Sequence, residues 1–475
     1  MIFERFVDPG LAQHSFVVGC EGTREIMVVD PRRDIDVYLG FAREKGYRIA
    51  HVMDTHIHAD FASGAKELAE VSGAKLHLSG YDDGEVFEVA YPHNELREGD
   101  AITVGGVRIE VLHTPGHTPE HLSFLLFEEA RSKDLPIAML TGDFLFVGSL
   151  GRPDLLGDDA KEALARQMFA SVRDKLSGLP DGLEVHPGHG AGSACGKGMS
   201  GRPVSTLGYE RATNSFLNPE LSEDDFIKQL LEGQPDIPDF YPRNKRINSE
   251  GPRAVLDLPG ANVPLAPGDV AKRAAAGEVV VIDLRDPLAF GGGHLPKALG
   301  IGLGPLFATW AGWVAPKDKP LVLIDADGDR SRIEQAVRYM VRTGVDHIEG
   351  YVEGGMQACS AAGLALETLP QLSPAAAREA LDAGKINLVD ARASAEFAEG
   401  HVETAINVPV QAARDRVPGL DFDAPIAVMC GSGYRSTVAA SLLKAQGYRR
   451  IQNVNGGLMA WNTAGISTRA PEKSA

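Results

Sequence analysis

Residues 47–61 read Tyr47-Arg48-Ile49-Ala50-His51-Val52-Met53-Asp54-Thr55-His56-Ile57-His58-Ala59-Asp60-Phe61. Tyr47 to Thr55 is an apolar run of strand length, and it delivers two imidazoles and a carboxylate at alternate positions. On an extended backbone, side chains two residues apart share a face, so His56, His58 and Asp60 are expected to point one way and to converge on one cation. Further along, a helix is expected over Ala62 to Val71, strands over Ile109 to His113 and Leu122 to Phe127, and another apolar run, Pro136 to Leu140, leads into Thr141-Gly142-Asp143. His117 lies in the tight turn Pro115-Gly116-His117-Thr118-Pro119, and His189 closes Val185-His186-Pro187-Gly188-His189. Eleven of the fourteen histidines fall within the first 189 residues, so this part of the chain is expected to be a metal domain with its polar groups at strand ends.

A chain of 475 residues is long enough for about three folding units. Its 44% hydrophobic and 24% charged residues are ordinary globular usage, which argues against a disordered or fibrous chain. The net charge of -18 repels phosphate backbones and anionic lipid, so neither nucleic acid nor membrane is an expected partner. No run of about eighteen apolar residues occurs, and the first residues lack a basic-then-apolar leader, from which a cytoplasmic location is expected. Cys20, Cys195, Cys359 and Cys430 follow no paired spacing and read as reduced thiols. Cys20 and Cys359 are expected in the core and Cys195 in loop packing, with lining the mouth of the metal site as the lesser alternative. Arg243, Lys245 and Arg246 read as a solvated basic patch, with recognition of an anionic thiol carrier as the lesser alternative.

Beyond a Gly-, Pro- and Asn-rich stretch ending near Leu258, the chain repeats itself. Val280 to Arg285 matches Asn387 to Arg392, Phe290 and Gly293-His294 match Phe397 and Gly400-His401, and Arg330-Ser331 matches Arg435-Ser436. Two copies of one α/β unit with a parallel sheet are expected. In the second copy a strand runs into Cys430-Gly431-Ser432-Gly433-Tyr434-Arg435, followed by a helical pattern. Backbone N–H groups of such a loop, with the helix N-terminus, form a positive concavity that stabilises a thiolate or a bound persulfide. Cys430 is therefore expected to be a nucleophile. In the first copy the same register puts Asp325 opposite Cys430, within Asp325-Ala326-Asp327-Gly328-Asp329, so that copy is expected to be structural.

The order His-x-His-x-Asp, Pro-Gly-His-Thr, Thr-Gly-Asp and Pro-Gly-His resembles the metallo-β-lactamase superfamily, and the resemblance implies an αβ/βα sandwich over residues 1–245. Where the superfamily motif often has a further His, this chain has Phe61, which removes a ligand of the second metal site and makes a two-metal hydrolase less favoured. Within the superfamily the chain is most similar to persulfide dioxygenases. That similarity implies one Fe(II) per chain on His56, His117 and Asp143, with His58, Asp60 and His189 around it as supporting groups or as alternative ligands. Zinc is the less favoured metal. The stretch Gly148 to Asp154 also resembles the family, either bracing the site or contacting substrate. Residues 373–470 resemble a rhodanese domain, with Cys430 and Arg435 catalytic and Gly431 to Tyr434 cradling the persulfide, and residues 259–370 resemble a degenerate copy. The resemblances imply oxidation of a small thiol persulfide by O2 to sulfite and thiol, coupled to sulfane-sulfur transfer involving thiosulfate or sulfite, in a protein compatible with homo-oligomer formation. The rivals are a zinc thioester hydrolase of glyoxalase II type with an appended sulfurtransferase, and a sulfur carrier whose metal domain only docks.

Overall fold

The computed structural model describes residues 1–468. Residues 469 and 470, the last two of the span expected for the second repeat, lie outside the described residues. The described chain divides into two compact units, one formed by residues 1–257 with 341–344 and the other by 258–340 with 345–468.

The first unit is built on two six-stranded sheets. One runs in chain order through Ile2–Asp8, Gln13–Cys20, Glu25–Val29, Arg48–Met53, Lys75–Ser79 and Asn94–Leu96. The other has the order Ser205–Thr206, Glu184–Pro187, Ala138–Gly142, Leu122–Glu128, Val107–His113, Ala101–Val104. Alternation along the strands separates two layers of apolar contact. Phe16, Val18, Met27 and Val29 share a core with Ile109, Val111, Phe124 and Leu140 between the sheets. Their neighbours Val17, Ile26 and Val28 turn outward to Tyr38 and Ala42 of the helix Asp36–Lys45 and Leu68 of the helix Ala65–Ser72. Behind the second sheet, Leu125, Met139 and Val185 pack on Ala165, Met168 and Val172 of the helix Asp158–Leu176. This is the αβ/βα sandwich expected from the sequence. The end expected for it at residue 245 falls inside the helix Tyr241–Glu250, which packs against this unit.

The second unit contains two five-stranded parallel sheets of identical order. The first is Pro264–Leu265, Ile348–Val352, Leu321–Ile324, Val280–Asp283, Leu299–Gly300, and the second is Gln371–Leu372, Ile451–Val454, Ile426–Met429, Asn387–Asp390, Ile406–Asn407. The repeated sequence marks turn out to be fasteners. Asp283 and Asp390 each accept both arms of an arginine two residues on, Arg285 and Arg392, whose guanidinium then reaches the carbonyl of Gly293 or Gly400. Phe290 stacks on His294 at 3.9 Å and Phe397 on His401 at 3.8 Å. In pairing, Asp283 lies opposite Ile324 and Asp390 opposite Met429, so Asp325 and Cys430 leave their sheets at equivalent points.

Under each of those loops lies a Gly-Gly turn. Gly457 has φ 53°, and a Cβ there would collide with the Cys430 carbonyl oxygen; Gly355, at φ 57°, stands in the same relation to Asp325. No helix among the described residues is long and apolar enough to cross a membrane, and the four cysteines are free. Gly457→Ala combines a left-handed backbone with a clash, so it should destabilise the second unit by about 1–3 kcal/mol, read as a lower midpoint in urea unfolding.

Candidate metal centre and thiol loop

His56 follows the strand Arg48–Met53, His117 lies in the turn between Val107–His113 and Leu122–Glu128, and Asp143 follows Ala138–Gly142 directly. All three are buried, and their candidate ligand atoms lie within 4.8 Å of one another. His117 Nε2 is 3.5 Å from Asp143 Oδ2, and the His56 and His117 rings meet edge-on at 4.9 Å. The remaining polar atoms of the trio are engaged. His117 Nδ1 donates to the Arg152 carbonyl at 2.8 Å, His56 Nδ1 meets Thr55 Oγ1 at 2.9 Å, and Asp143 Oδ1 accepts from His189 Nδ1 at 2.7 Å. His56 Nε2, His117 Nε2 and Asp143 Oδ2 are left buried with no hydrogen-bond partner. An unmade hydrogen bond costs about 1–3 kcal/mol per buried group, so three such atoms facing one another are a donor set for a cation. The chemistry of the residues present fits a metal.

Protonation states agree. Burial, then the neighbouring imidazoles, holds His56 well below the usual histidine range, and burial also lowers His117, so both rings are neutral donors. Burial raises the Asp143 carboxyl, but the adjacent His189 more than offsets it and the group lies below the ordinary carboxylate range. His189 also donates from Nε2 to Asp60 Oδ2 at 2.7 Å. Burial works against its charge, but carboxylates on both nitrogens win and its pKa stands well above normal.

The expectation that His56, His58 and Asp60 converge on one point is corrected. The strand ends at Met53, and residues 54–61 form turns, so the two-residue alternation does not carry through. His58 Nε2 instead meets Asp30 Oδ1 at 3.0 Å, and its ring packs on Phe61 at 4.3 Å. Burial would lower the His58 pKa, but Asp30 holds it up at about 9. Asp60 joins His189 and Cys195 in a second group of candidate ligands.

Sequence reading missed several supporting residues. Asp143 N donates to His121 Nε2 at 3.0 Å, and His121 stacks on His56 at 5.0 Å; its position four residues after His117 was the available signal. Asp30, at φ 52°, accepts Thr55 N at 2.7 Å. From the helix Tyr241–Glu250, Asn248 donates to the carbonyls of His58 (2.8 Å) and Phe61 (2.9 Å) and accepts Ser63 N (2.8 Å), while Lys245 Nζ donates to the Ile57 carbonyl at 2.9 Å. The solvated patch expected at Arg243, Lys245 and Arg246 is thus corrected: Lys245 is buried, Arg243 half-buried and only Arg246 exposed. Arg152 braces its loop, with Nε and Nη2 on the two Asp154 oxygens at 2.7 and 2.8 Å. Cys195 is buried, its Sγ 3.6 Å from the Tyr241 hydroxyl, and burial raises its pKa well above normal. Cys359 is buried as expected, whereas Cys20, expected in the core, is half-buried at the end of the strand Gln13–Cys20.

In the second unit, Cys430 leaves the strand Ile426–Met429, and the helix Tyr434–Gln446 begins at Gly433, whose φ of 102° lets the chain curl around the sulfur. Gly433 N donates to Cys430 Sγ at 3.1 Å, and no side chain caps the helix, so its first N–H groups face the loop. Arg435 is gripped by both Glu396 oxygens at 2.5 and 2.8 Å, and its charge bears on Cys430. Ser432 lies within the loop, and the Tyr434 hydroxyl donates to the Gly302 carbonyl of the first repeat at 2.8 Å. In the first repeat the same cradle is filled by a carboxylate: Gly328 N donates to Asp325 Oδ1 at 2.6 Å.

The model of the metallo-beta-lactamase superfamily matches residues 8–189, and that of the rhodanese-like domain matches residues 266–362 and 373–464. The chain is similar to a hydroxyacylglutathione hydrolase of Polaromonas sp., with 30% identity over 50% of this chain and 93% of that protein. It is also similar to the mitochondrial persulfide dioxygenase ETHE1 of Homo sapiens, with 26% identity over 54% of this chain and 91% of that one. A solved metallo-beta-lactamase from Staphylococcus aureus shares 36% identity, covers 74% of this chain and 99% of its own, and superposes with a TM-score of 0.65. Asn248→Ala would strip three hydrogen bonds from the turn that carries His56. The expected result is a loss of roughly 1–3 kcal/mol in denaturant unfolding and on the order of 10-fold to 100-fold weaker metal retention against a chelator.

Proposed function

The chain belongs to the metallo-beta-lactamase superfamily, and from that premise we propose that it is an iron-dependent persulfide dioxygenase fused to a sulfurtransferase. One observation carries the reading: two imidazole nitrogens and one carboxylate oxygen stand buried, unpartnered and within reach of a single ion. Two histidines and one carboxylate leave open positions for both a substrate and O2, the arrangement that suits Fe(II). When bound at His56, His117 and Asp143, iron supplies the redox chemistry of joining O2 to sulfur. The balanced reaction is R–S–SH + O2 + H2O giving R–SH, sulfite and two protons. The chain's own groups prepare the site. Arg152 and Thr55 orient the rings, and His189, held between Asp143 and Asp60, keeps a proton on Nδ1 so that Asp143 Oδ2 remains the free donor.

At the other centre, the Cys430 thiolate attacks the outer sulfur of thiosulfate, the S–S bond breaks, and sulfite leaves as a persulfide forms on Cys430. A small thiolate then attacks the outer sulfur and releases Cys430, yielding the persulfide that the metal centre consumes. The Gly433 N–H on the sulfur, the uncapped helix start and the Arg435 charge stabilise the anion in both states. Asp325 has no nucleophilic sulfur, so transfer is assigned to the second repeat alone.

A second reading, a zinc thioester hydrolase, draws on the Asp60, His189 and Cys195 group as a site for another ion. Against it, both His189 nitrogens are committed to carboxylates and Phe61 offers no ligand. Protein purified without added metal should contain about one iron per chain and consume O2 on addition of glutathione persulfide; bound zinc with hydrolysis of a glutathione thioester and no O2 uptake would establish the hydrolase. Cys430→Ser should lower thiosulfate:thiol sulfurtransferase activity by at least about 100-fold and leave O2 uptake unchanged.

A further inference from the structure

The second unit also holds a cavity of about 610 Å3, within the range of small-molecule pockets. It opens at the starts of the strands Val280–Asp283 and Leu321–Ile324 and beside Leu442, Ala445 and Gln446 at the far end of the helix Tyr434–Gln446. Cys430 sits before the opposite end of that helix, which at thirteen residues is roughly 20 Å long, so this cavity is separate from the thiol loop.

Its wall is apolar, formed by Val281, Leu299 and Val314 of the first repeat and Leu442 of the second. Its rim is cationic: Lys297, Lys317 and Lys319 come from the first repeat and Arg414 from the second, with Asp318 the one acid in the lining. In a chain of net charge -18 this is a local reversal of sign. Among the described residues neither Lys297 nor Lys319 is ion-paired. Lys297 also holds φ at 63°, a left-handed backbone that a lysine adopts only under constraint, and its Nζ donates to the Ala275 carbonyl. The matching residue of the second repeat, Thr404, is not left-handed. The strain thus accompanies the cationic rim rather than the shared fold.

We infer that this cavity, built jointly by both repeats, binds an organic phosphate of the nucleoside diphosphate class, with its phosphates on the lysine rim and its body against the Val281, Leu299 and Leu442 wall. The inference does not depend on the chemistry proposed for either centre, and it gives the first repeat a ligand to hold in place of a sulfur.

Calorimetric titration of the full chain with ADP, pyrophosphate and adenosine tests it. ADP should bind in the micromolar range and weaken as salt rises, pyrophosphate should bind at least about tenfold more weakly, and adenosine should not bind measurably. Lys297→Gln with Lys319→Gln should weaken ADP at least about tenfold, whereas Arg246→Gln, an exposed cation in the first unit, should leave it unchanged. The half-buried Lys319→Gln alone guards against misfolding of the double variant and should weaken ADP in the same direction. Absence of ADP binding, binding indifferent to the lysine variants, or pyrophosphate binding as tightly as ADP would each overturn the inference.

Discussion

The hydrogen bond from His189 Nδ1 to Asp143 Oδ1, 2.7 Å long and wholly buried, governs the first unit's chemistry. It consumes one carboxylate oxygen and leaves the other bare, facing two nitrogens that are bare for a parallel reason, since His56 and His117 spend their Nδ1 atoms on Thr55 and Arg152. Three unpartnered polar atoms are expensive in a low-dielectric interior, and a fold tolerates them where a ligand repays the cost. The surrounding contacts, from Asn248 on the His58 and Phe61 carbonyls to the Arg152–Asp154 pair, keep the backbone from relaxing and closing the gap.

The second unit applies one backbone design to two side chains. In both repeats a strand ends in a loop whose third following N–H points back at the residue leaving the sheet, over a Gly-Gly turn too tight for any Cβ. Where that residue is Cys430 the N–H meets a sulfur. Where it is Asp325 the same N–H is taken by a carboxyl oxygen, and there is no atom to carry a sulfane sulfur. The cradle offers the same N–H in both cases, and the side chain alone differs.

Much of this was legible in the chain. The parallel repeats and the loop around Cys430 follow from apolar periodicity, turn residues and offsets between repeats, because these are local or periodic properties, whereas the sandwich and the choice of His56, His117 and Asp143 came from the resemblance of the ordered His and Asp motifs to a known superfamily. The failures were of another kind. His58 and Asp60 were expected beside His56 on the assumption of continuous strand alternation, and the turn after Met53 sent them to Asp30 and His189 instead. Lys245 carries a charge and so reads as surface, yet it is buried with its ammonium on the Ile57 carbonyl. Asn248 lies about 190 residues from the carbonyls it holds, a separation at which no spacing rule operates.

The sequence by itself determined which residue types stand at the ends of which strands, and hence the classes of chemistry open to the protein: imidazole and carboxylate donors in one half, a thiol in an anion-binding loop in the other. Only the tertiary structure decided which atom of each donor is free. That depends on second partners, such as a carbonyl on His117 or an imidazolium on Asp143, brought in from distant strands by packing. Hydrogen bonds act over about 3 Å in space, whatever the separation along the chain.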